Sequence, residues 1–515
     1  MRVQCEIEQL IRERVRVHPD TVWLKFKDDR YAWRQALSLM QRAANGLLKA
    51  GVRPGDRVAI MARNRPEFLW AYFGSLFIGA GFVPMNRWQR GAALTHMVND
   101  SGVKVIVYDE DLRETVAGLA GACPKLTTAI VFGEAVDGEI GFDDLMRAPD
   151  VEPDVEVVTP SAPVDLLYTS GTTGAPKGVA STDYEQHLAP LRDAIGLRAG
   201  ETFYSCMPLF HGSGLFLGAV ATIRTDGVFA MGDAFSASQF WDEIRRHGAV
   251  ATQLFSSMFS ILLKQPLKSA DADNPIRTVL SVGCPTSIWR EFEKRFDVHI
   301  AEFYGMSDAV GWSVNTDGRV GSAGRPAAGA EFRIVDADDN VLPPDEFGEI
   351  VFRHPAGQLT HYNNLPEVTA HAYRGGWFHT GDLGKIDAEG YLYFAGRLKE
   401  AIRRRGENIT AWEVASVIDQ HPKVQESAVF GVPSEYGEEE VMAAIVPQSG
   451  EMPTPEEIMD FCQGRVAYYA MPRFIDIVDA LPKTSTQKVQ IAVLKQRGPT
   501  AGTWDRERVG FVVKR

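Results

Sequence analysis

Short apolar runs alternate with apolar stretches of helical length through the first 160 residues. Residues 57–61, Arg-Val-Ala-Ile-Met, predict a buried strand. Pro66 opens a stretch to residue 78 that predicts a helix. Residues 81–85 predict a strand again, 92–101 a helix and 103–108 another strand. Such alternation predicts parallel sheets covered by helices. The pattern pauses at 148–163, where four prolines and several acids predict a surface connection. It resumes with a strand at 165–169. Buried strands follow at 248–253, 277–282 and 298–303, the first and third preceded by helices at 237–247 and 286–296. Ser236 is placed to cap the first of these helices. Beyond residue 320 the runs shorten. Residues 331–335, 348–353 and 390–394 predict antiparallel β structure. From about residue 400 a small α+β unit is expected, with helices at 411–420 and 455–462 and strands at 424–431, 441–447 and 473–478. No solenoid repeat or low-complexity tract is present.

Composition narrows the classes. The 515 residues carry 54 Lys plus Arg against 67 Asp plus Glu, a formal net charge of −13. Such an acidic chain is a poor general nucleic-acid binder, so an anion needs a local positive site. Cys5, Cys123, Cys206, Cys284 and Cys462 are scattered without a CxxC pair. This argues against a disulfide framework and a structural zinc site, and for reduced thiols in a cytoplasm. The first 20 residues mix both charge signs and have no apolar core, so no secretory signal is expected. Two uncharged runs, 68–86 and 202–223, are long enough to test as membrane spans. Gly79, Gly81 and Pro84 break the first. Ser205, Pro208, His211, Gly212, Ser213 and Gly214 break the second, so buried segments are expected instead.

The densest chemistry lies at 166–179, LLYTSGTTGAPKGV. Thr169 to Gly174 is an unbroken run of hydroxyl residues and glycine ahead of Lys177. Gly171 and Gly174 permit close backbone approach, Ser170, Thr172 and Thr173 donate hydrogen bonds, and Lys177 adds charge. Together they suit a phosphate chain. The spacing is not the Gly-x4-Gly-Lys-Ser/Thr of P-loop nucleotidases.

This stretch closely resembles the phosphate loop of the adenylate-forming superfamily, which includes acyl-CoA synthetases, luciferases and the adenylation domains of peptide synthetases. Other segments resemble the superfamily in the same order: Met207-Pro-Leu-Phe-His211, Ser281-Val-Gly-Cys-Pro285, Tyr304-Gly-Met-Ser-Asp308, Trp377-Phe-His-Thr-Gly-Asp382, Gly396-Arg-Leu-Lys-Glu400, Arg405-Gly-Glu-Asn-Ile409 and Leu481-Pro-Lys-Thr-Ser-Thr-Gln-Lys488. The likeness runs from about residue 10 to about 495.

The resemblance implies an α/β fold. A large N-terminal domain of helix-covered sheets with a β subdomain would occupy residues 1–396. A hinge at 397–400 and a small mobile C-terminal lid at 401–515 would follow. It also implies an acid–CoA ligase that forms an acyl-AMP from a carboxylic acid and ATP, then a thioester after the lid rotates. Lys488 would contact the carboxylate and α-phosphate. Gly283, Cys284 and Pro285 would lie under adenine, with Tyr304 stacked on it and Gly305 and Ser307 in the same segment. Asp382 would accept from the ribose, Arg397 would pair with ribose or phosphate, and Phe394 would lie beside the nucleotide. His211 would line the acyl site or gate the thiol. Lys399 occupies the hinge position. Gly406 would approach the pantetheine arm of coenzyme A, and Arg405, in a run with Arg403 and Arg404, would meet its phosphates. Asp308 and Thr173 would serve Mg2+. Asp308 stands where most members carry Glu, and Gln487 where a glycine normally precedes the lysine.

Apolar residues at 207–220 and 252–263, among them Phe210, Leu215, Phe216, Leu254, Met258 and Phe259, suit an apolar acyl group. Phe210 is followed by His211 and not by the Asp of amino-acid-activating relatives, which disfavours amino-acid activation. The texture is most similar to carnitine/crotonobetaine-type and medium-size acid ligases. Only 27 residues follow Lys488, too few for a carrier domain, so CoA is the expected acceptor. Other readings stay open: ligation only, from a supplied acyl-adenylate; acid activation for a free-standing carrier protein; and a non-catalytic nucleotide- or acyl-binding member. The expected partners are small molecules, with no nucleic acid and no membrane span, in a monomer or homodimer.

Overall fold

The computed structural model describes residues 6–155, 165–169, 175–181, 189–255, 257–327, 329–398, 402–404, 407–409, 411–434, 439–484 and 489–513. Two large sheets form its centre. In the nine-stranded sheet His299–Tyr304, Thr278–Val282, Ala249–Phe255, Thr202–Ser205, Val228–Met231 and Val22–Phe26 run parallel in that order. In the eight-stranded sheet the parallel core is Asp165–Thr169, Gly81–Pro84, Arg57–Met61, Val105–Asp109, Thr128–Phe132 and Glu139–Gly141. Antiparallel strands close its other edge, Lys177–Ser181 beside Asp165–Thr169 and then Thr360–Tyr362.

Helices Trp33–Lys49 and Pro66–Phe77 lie in one core that takes side chains from both sheets, Trp23, Phe203 and Phe229 from one and Ile60, Phe82 and Val107 from the other. This explains the uncharged run at 68–86. Every residue of Pro66–Phe77 except Glu67 is buried, as a helix covered on all sides must be. The two helices meet at Gly74, where a Cβ would come within 2.8 Å of the Ala44 backbone nitrogen. The run at 202–223 becomes the strand Thr202–Ser205 and a helical passage Gly212–Arg224 whose Leu215–Val220 portion is π-helical. Among the described residues no helix is long and apolar enough to cross a membrane.

Some element edges shift. Ser236 is not the cap: the helix is Phe240–His247, and the Ser236 carbonyl accepts from Gln239 and Phe240 in a preceding turn. The strand expected at 390–394 is Leu392–Arg397, because Gly390 turns the chain with φ 83°. It completes a four-stranded antiparallel sheet with Glu331–Val335, Gly348–Arg353 and Phe378–Ile386.

The C-terminal unit carries the sheet Val424–Pro433, Glu439–Pro447, Phe474–Ile477 and Trp504–Asp505, and the hairpin Ile402–Arg404 with Glu407–Ile409. The tail beyond 502, unexplained by the family likeness, supplies the edge strand, and Trp504, Phe511 and Val513 pack on this core. The helix Pro455–Cys462 opens on a reciprocal capping box between Thr454 and Glu457. Beneath the hairpin Arg404 Nε lies 2.6 Å from Glu440 Oε2, with side chains 3% and 1% exposed.

Removing one partner of such a pair leaves a buried charge. Arg404→Met is therefore expected to destabilise this unit by about 3 kcal/mol. Hydrogen exchange across residues 439–447 should accelerate, and Arg404→Met/Glu440→Leu should recover most of the protection. Unchanged exchange in the single variant would show the pair contributes nothing.

Candidate functional site

The site forms where neighbouring parallel strands end. Loops at the carboxyl ends of such strands border a crevice by construction. Thr278–Val282 delivers residues 281–285, and His299–Tyr304 delivers 304–308. Glu302, a carboxylate inside the second of these buried strands, holds the first loop. It accepts from the Ser281 hydroxyl, the Gly283 amide and, at 3.2 Å, the Cys284 amide. Burial pushes its carboxyl up to about 7, against the pull of those three donors. Gly283 is exposed, Pro285 half-buried and Cys284 buried. Burial and then Glu302 push the Cys284 thiol well up, which removes it as a nucleophile.

Tyr304 is buried, and its hydroxyl donates to Asp382 Oδ2 at 2.6 Å. Arg397 Nε lies 2.9 Å from Asp382 Oδ1. Sheet register explains this meeting, since Asp382 and Arg397 are direct cross-strand partners. Burial and Asp382 push the Tyr304 hydroxyl far up, so it remains a donor. The open aromatic face in this corner belongs to Phe394, 38% exposed, its ring centroid 5.9 Å from that of Tyr304. Gly305 leaves room for Trp312, whose ring a Cβ would meet at 2.0 Å. Ser307 and Asp308 are half-buried.

Thr169 and Lys177 face each other across an antiparallel pair, with the Thr169 hydroxyl 3.5 Å from the Lys177 carbonyl. Lys177 Nζ stands 4.3 Å above the Tyr362 ring, and the Tyr362 hydroxyl donates to Asp308 Oδ1 at 2.9 Å. The Thr360 hydroxyl donates to the Asp308 carbonyl at 2.6 Å. A second buried polar residue, Asn64, secures the segment before His211. Its amide donates to the Met207 and Gly232 carbonyls and accepts from the Leu209 amide. His211 is half-buried at the start of Gly212–Gly214, its ring centroid 4.7 Å from that of Phe210.

The structure thus brings together Tyr304, Asp382, Phe394 and Arg397, and links Lys177 to Asp308. Ser170, Gly171, Thr172, Thr173, Gly174, Lys399, Arg405, Gly406 and Lys488 lie outside the described residues. The apolar set expected to line one pocket divides between two cores. Phe210, Leu215 and Phe216 belong to the core between the sheets, whereas Leu254, on the strand Ala249–Phe255, and Met258 and Phe259, on the helix Ser257–Leu263, belong to another. Sequence reasoning missed Glu302, Asn64, Thr360 and Tyr362. A carboxylate in an otherwise apolar strand was a readable signal for Glu302; Tyr362 offered none. Asp339, Glu349 and His379 also gather, but Arg374 already contacts both Asp339 and Glu349.

Residues 11–362 match the model of the AMP-binding enzyme family, and residues 413–488 that of the AMP-binding enzyme C-terminal domain. The chain is 30% identical over 472 residues to a crotonobetaine/carnitine–CoA ligase of Salmonella agona (strain SL483), covering 87% of this chain and 90% of that protein. Its fold is similar to o-succinylbenzoate CoA synthetase from Bacillus subtilis in complex with an acyl-adenylate intermediate, with TM-score 0.83, 26% identity and coverage of 96% and 98%. The same synthetase with ATP and magnesium ion gives TM-score 0.82 at 26% identity, covering 94% of this chain and 99% of that one.

Glu302→Gln keeps the shape but weakens the acceptor, so the KM for ATP should rise roughly tenfold. In the wild type, affinity for ATP should fall as the pH drops below about 7 and Glu302 takes a proton. That step should vanish in the variant. The sign for stability is opposite: a raised carboxyl favours the folded state at low pH, and its contribution is lost as the pH rises to about 7. Equal pH profiles for ATP affinity in the two proteins would remove Glu302 from this role.

Proposed function

The chain belongs to the AMP-binding enzyme family, and on that footing we propose that it is an AMP-forming carboxylic acid–CoA ligase. The observations that carry the reading are the Tyr304–Asp382–Arg397 constellation and the phosphate-loop lysine, Lys177, linked through Tyr362 to Asp308. Further support comes from likeness along most of the chain to proteins described as CoA ligases and synthetases.

In this reading a carboxylic acid attacks the α-phosphorus of ATP, pyrophosphate leaves, and the acyl-adenylate is then attacked by the CoA thiol with release of AMP. Acid and ATP are both anions, so the site has to bring positive charge to the phosphates and hold the two in line. Lys177 and the hydroxyl run from Thr169 to Gly174 receive the phosphates. Asp382 accepts from the ribose hydroxyls, with Arg397 beside it, and Phe394 offers its open face to the base. Lys488 meets the acid and the α-phosphate. Asp308 is a half-buried oxygen donor of the kind Mg2+ takes, and Thr173 would share that ion. When bound, Mg2+ offsets phosphate charge. For the second half-reaction, residues 401–515 rotate about 397–400, with Lys399 in the hinge, and bring Gly406 and Arg405 toward CoA while His211 lines or gates the acyl site. Residues 1–396 form the other domain. The free, buried thiols of Cys123, Cys206, Cys284 and Cys462 accord with a cytoplasmic setting.

The test is acid-dependent ATP–pyrophosphate exchange across a carboxylic acid panel with Mg2+. At least one acid should support exchange, Lys488→Ala should abolish it, and Asp382→Asn should raise the KM for ATP roughly tenfold. Absence of exchange, with turnover of supplied acyl-adenylates by CoA, would replace this reading with ligation alone.

A further inference from the structure

Tyr362 joins two groups that would serve the triphosphate, Lys177 and Asp308. Its backbone is fixed twice, by pairing with Val179 in the strand that carries Lys177 and by donation to the Thr369 hydroxyl at 2.9 Å. Its ring is buried and lies under Lys177 Nζ at 4.3 Å. Its hydroxyl reaches Asp308 Oδ1 at 2.9 Å. Thr360, two residues earlier on the same strand, donates to the Asp308 carbonyl at 2.6 Å and meets the Tyr373 hydroxyl at 2.7 Å. Backbone and carboxylate of Asp308 are therefore held by one short strand. Among the described residues no hydrogen bond reaches Asp308 Oδ2.

We propose that Tyr362 is a positioning residue that sets the Asp308 carboxylate for a phosphate-bound divalent cation and couples it to Lys177. The inference rests on the ligase reading and deepens it. An Asp side chain has few rotamers and short reach, and Mg2+ demands near-ideal octahedral geometry, so a carboxylate with one oxygen tied and the other without a hydrogen bond among the described residues needs an external brace. Tyr362 is that brace. Because its ring also carries Lys177, displacement of one arm displaces the other. Tyr362 is distinct from a packing aromatic in that its hold on Asp308 resides in the hydroxyl.

The experiment compares Tyr362→Phe, which keeps the ring under Lys177, with wild type in the full chain. ATP binding is titrated at varied free Mg2+ by calorimetry. The half-saturating Mg2+ should rise roughly tenfold, the size expected for a lost hydrogen bond to a charged group. Pyrophosphate exchange should slow about tenfold more than thioester formation from supplied acyl-adenylate. In Asp308→Glu the longer side chain no longer depends on the same hydroxyl, so Tyr362→Phe should cost much less there, giving a non-additive cycle. An unchanged Mg2+ requirement, an equal loss in both half-reactions or an additive cycle would each overturn the proposal. A wild type without acid-dependent exchange would sink the ligase reading instead, and the calorimetric arm would still decide the role of Tyr362.

Discussion

A parallel sheet has to be covered on both faces, and this constraint organises the molecule. Two such sheets share one core, and a helix covered by both has almost no solvent side. Pro66–Phe77 is accordingly apolar around almost its whole circumference. Its approach to Trp33–Lys49 is close enough that Gly74 has no room for a Cβ. With the sheets covered, the open places left are the strand ends. Residues 281–285 and 304–308 emerge there, beside the antiparallel sheet that brings Asp382 and Arg397.

The buried polar side chains that shape the site each have partners. Glu302 is spent on one loop, Asn64 on another, and Asp382 on Tyr304 and Arg397. Each bond ties a strand end or loop to a second segment distant in sequence. The price is a set of buried ionisable groups whose protonation is displaced from ordinary values. The same economy of placement gives Tyr362 two neighbours of opposite charge, a lysine over its ring and a carboxylate at its hydroxyl.

Much of the fold was readable because periodicity is local. The strands Asp165–Thr169, Glu331–Val335 and Gly348–Arg353 and the helix Pro455–Cys462 appear where their patterns end. Element edges moved where a turn decided them, as at Gly390, or where a helix began one turn later than its first polar candidate, as at Ser236. The apolar segments were recognised but not their destinations. Phe216 and Leu254 read alike as hydrophobic positions, yet they enter different cores, because one sits on a helical passage and the other on a strand and only assembly defines what each element's apolar face meets.

The sequence by itself determined the family and the strand–helix alternation and marked the candidate residues, since hydroxyl, glycine and charged side chains in fixed order depend on local spacing alone. Tertiary structure decided which of them touch. Tyr304 lies 78 residues from Asp382, and Asp308 lies 54 from Tyr362. No local pattern encodes either bond, because each arises from strand register and from the order of strands in a sheet. Residue types name the chemistry available; the pairing of strands places the hydroxyl against the carboxylate.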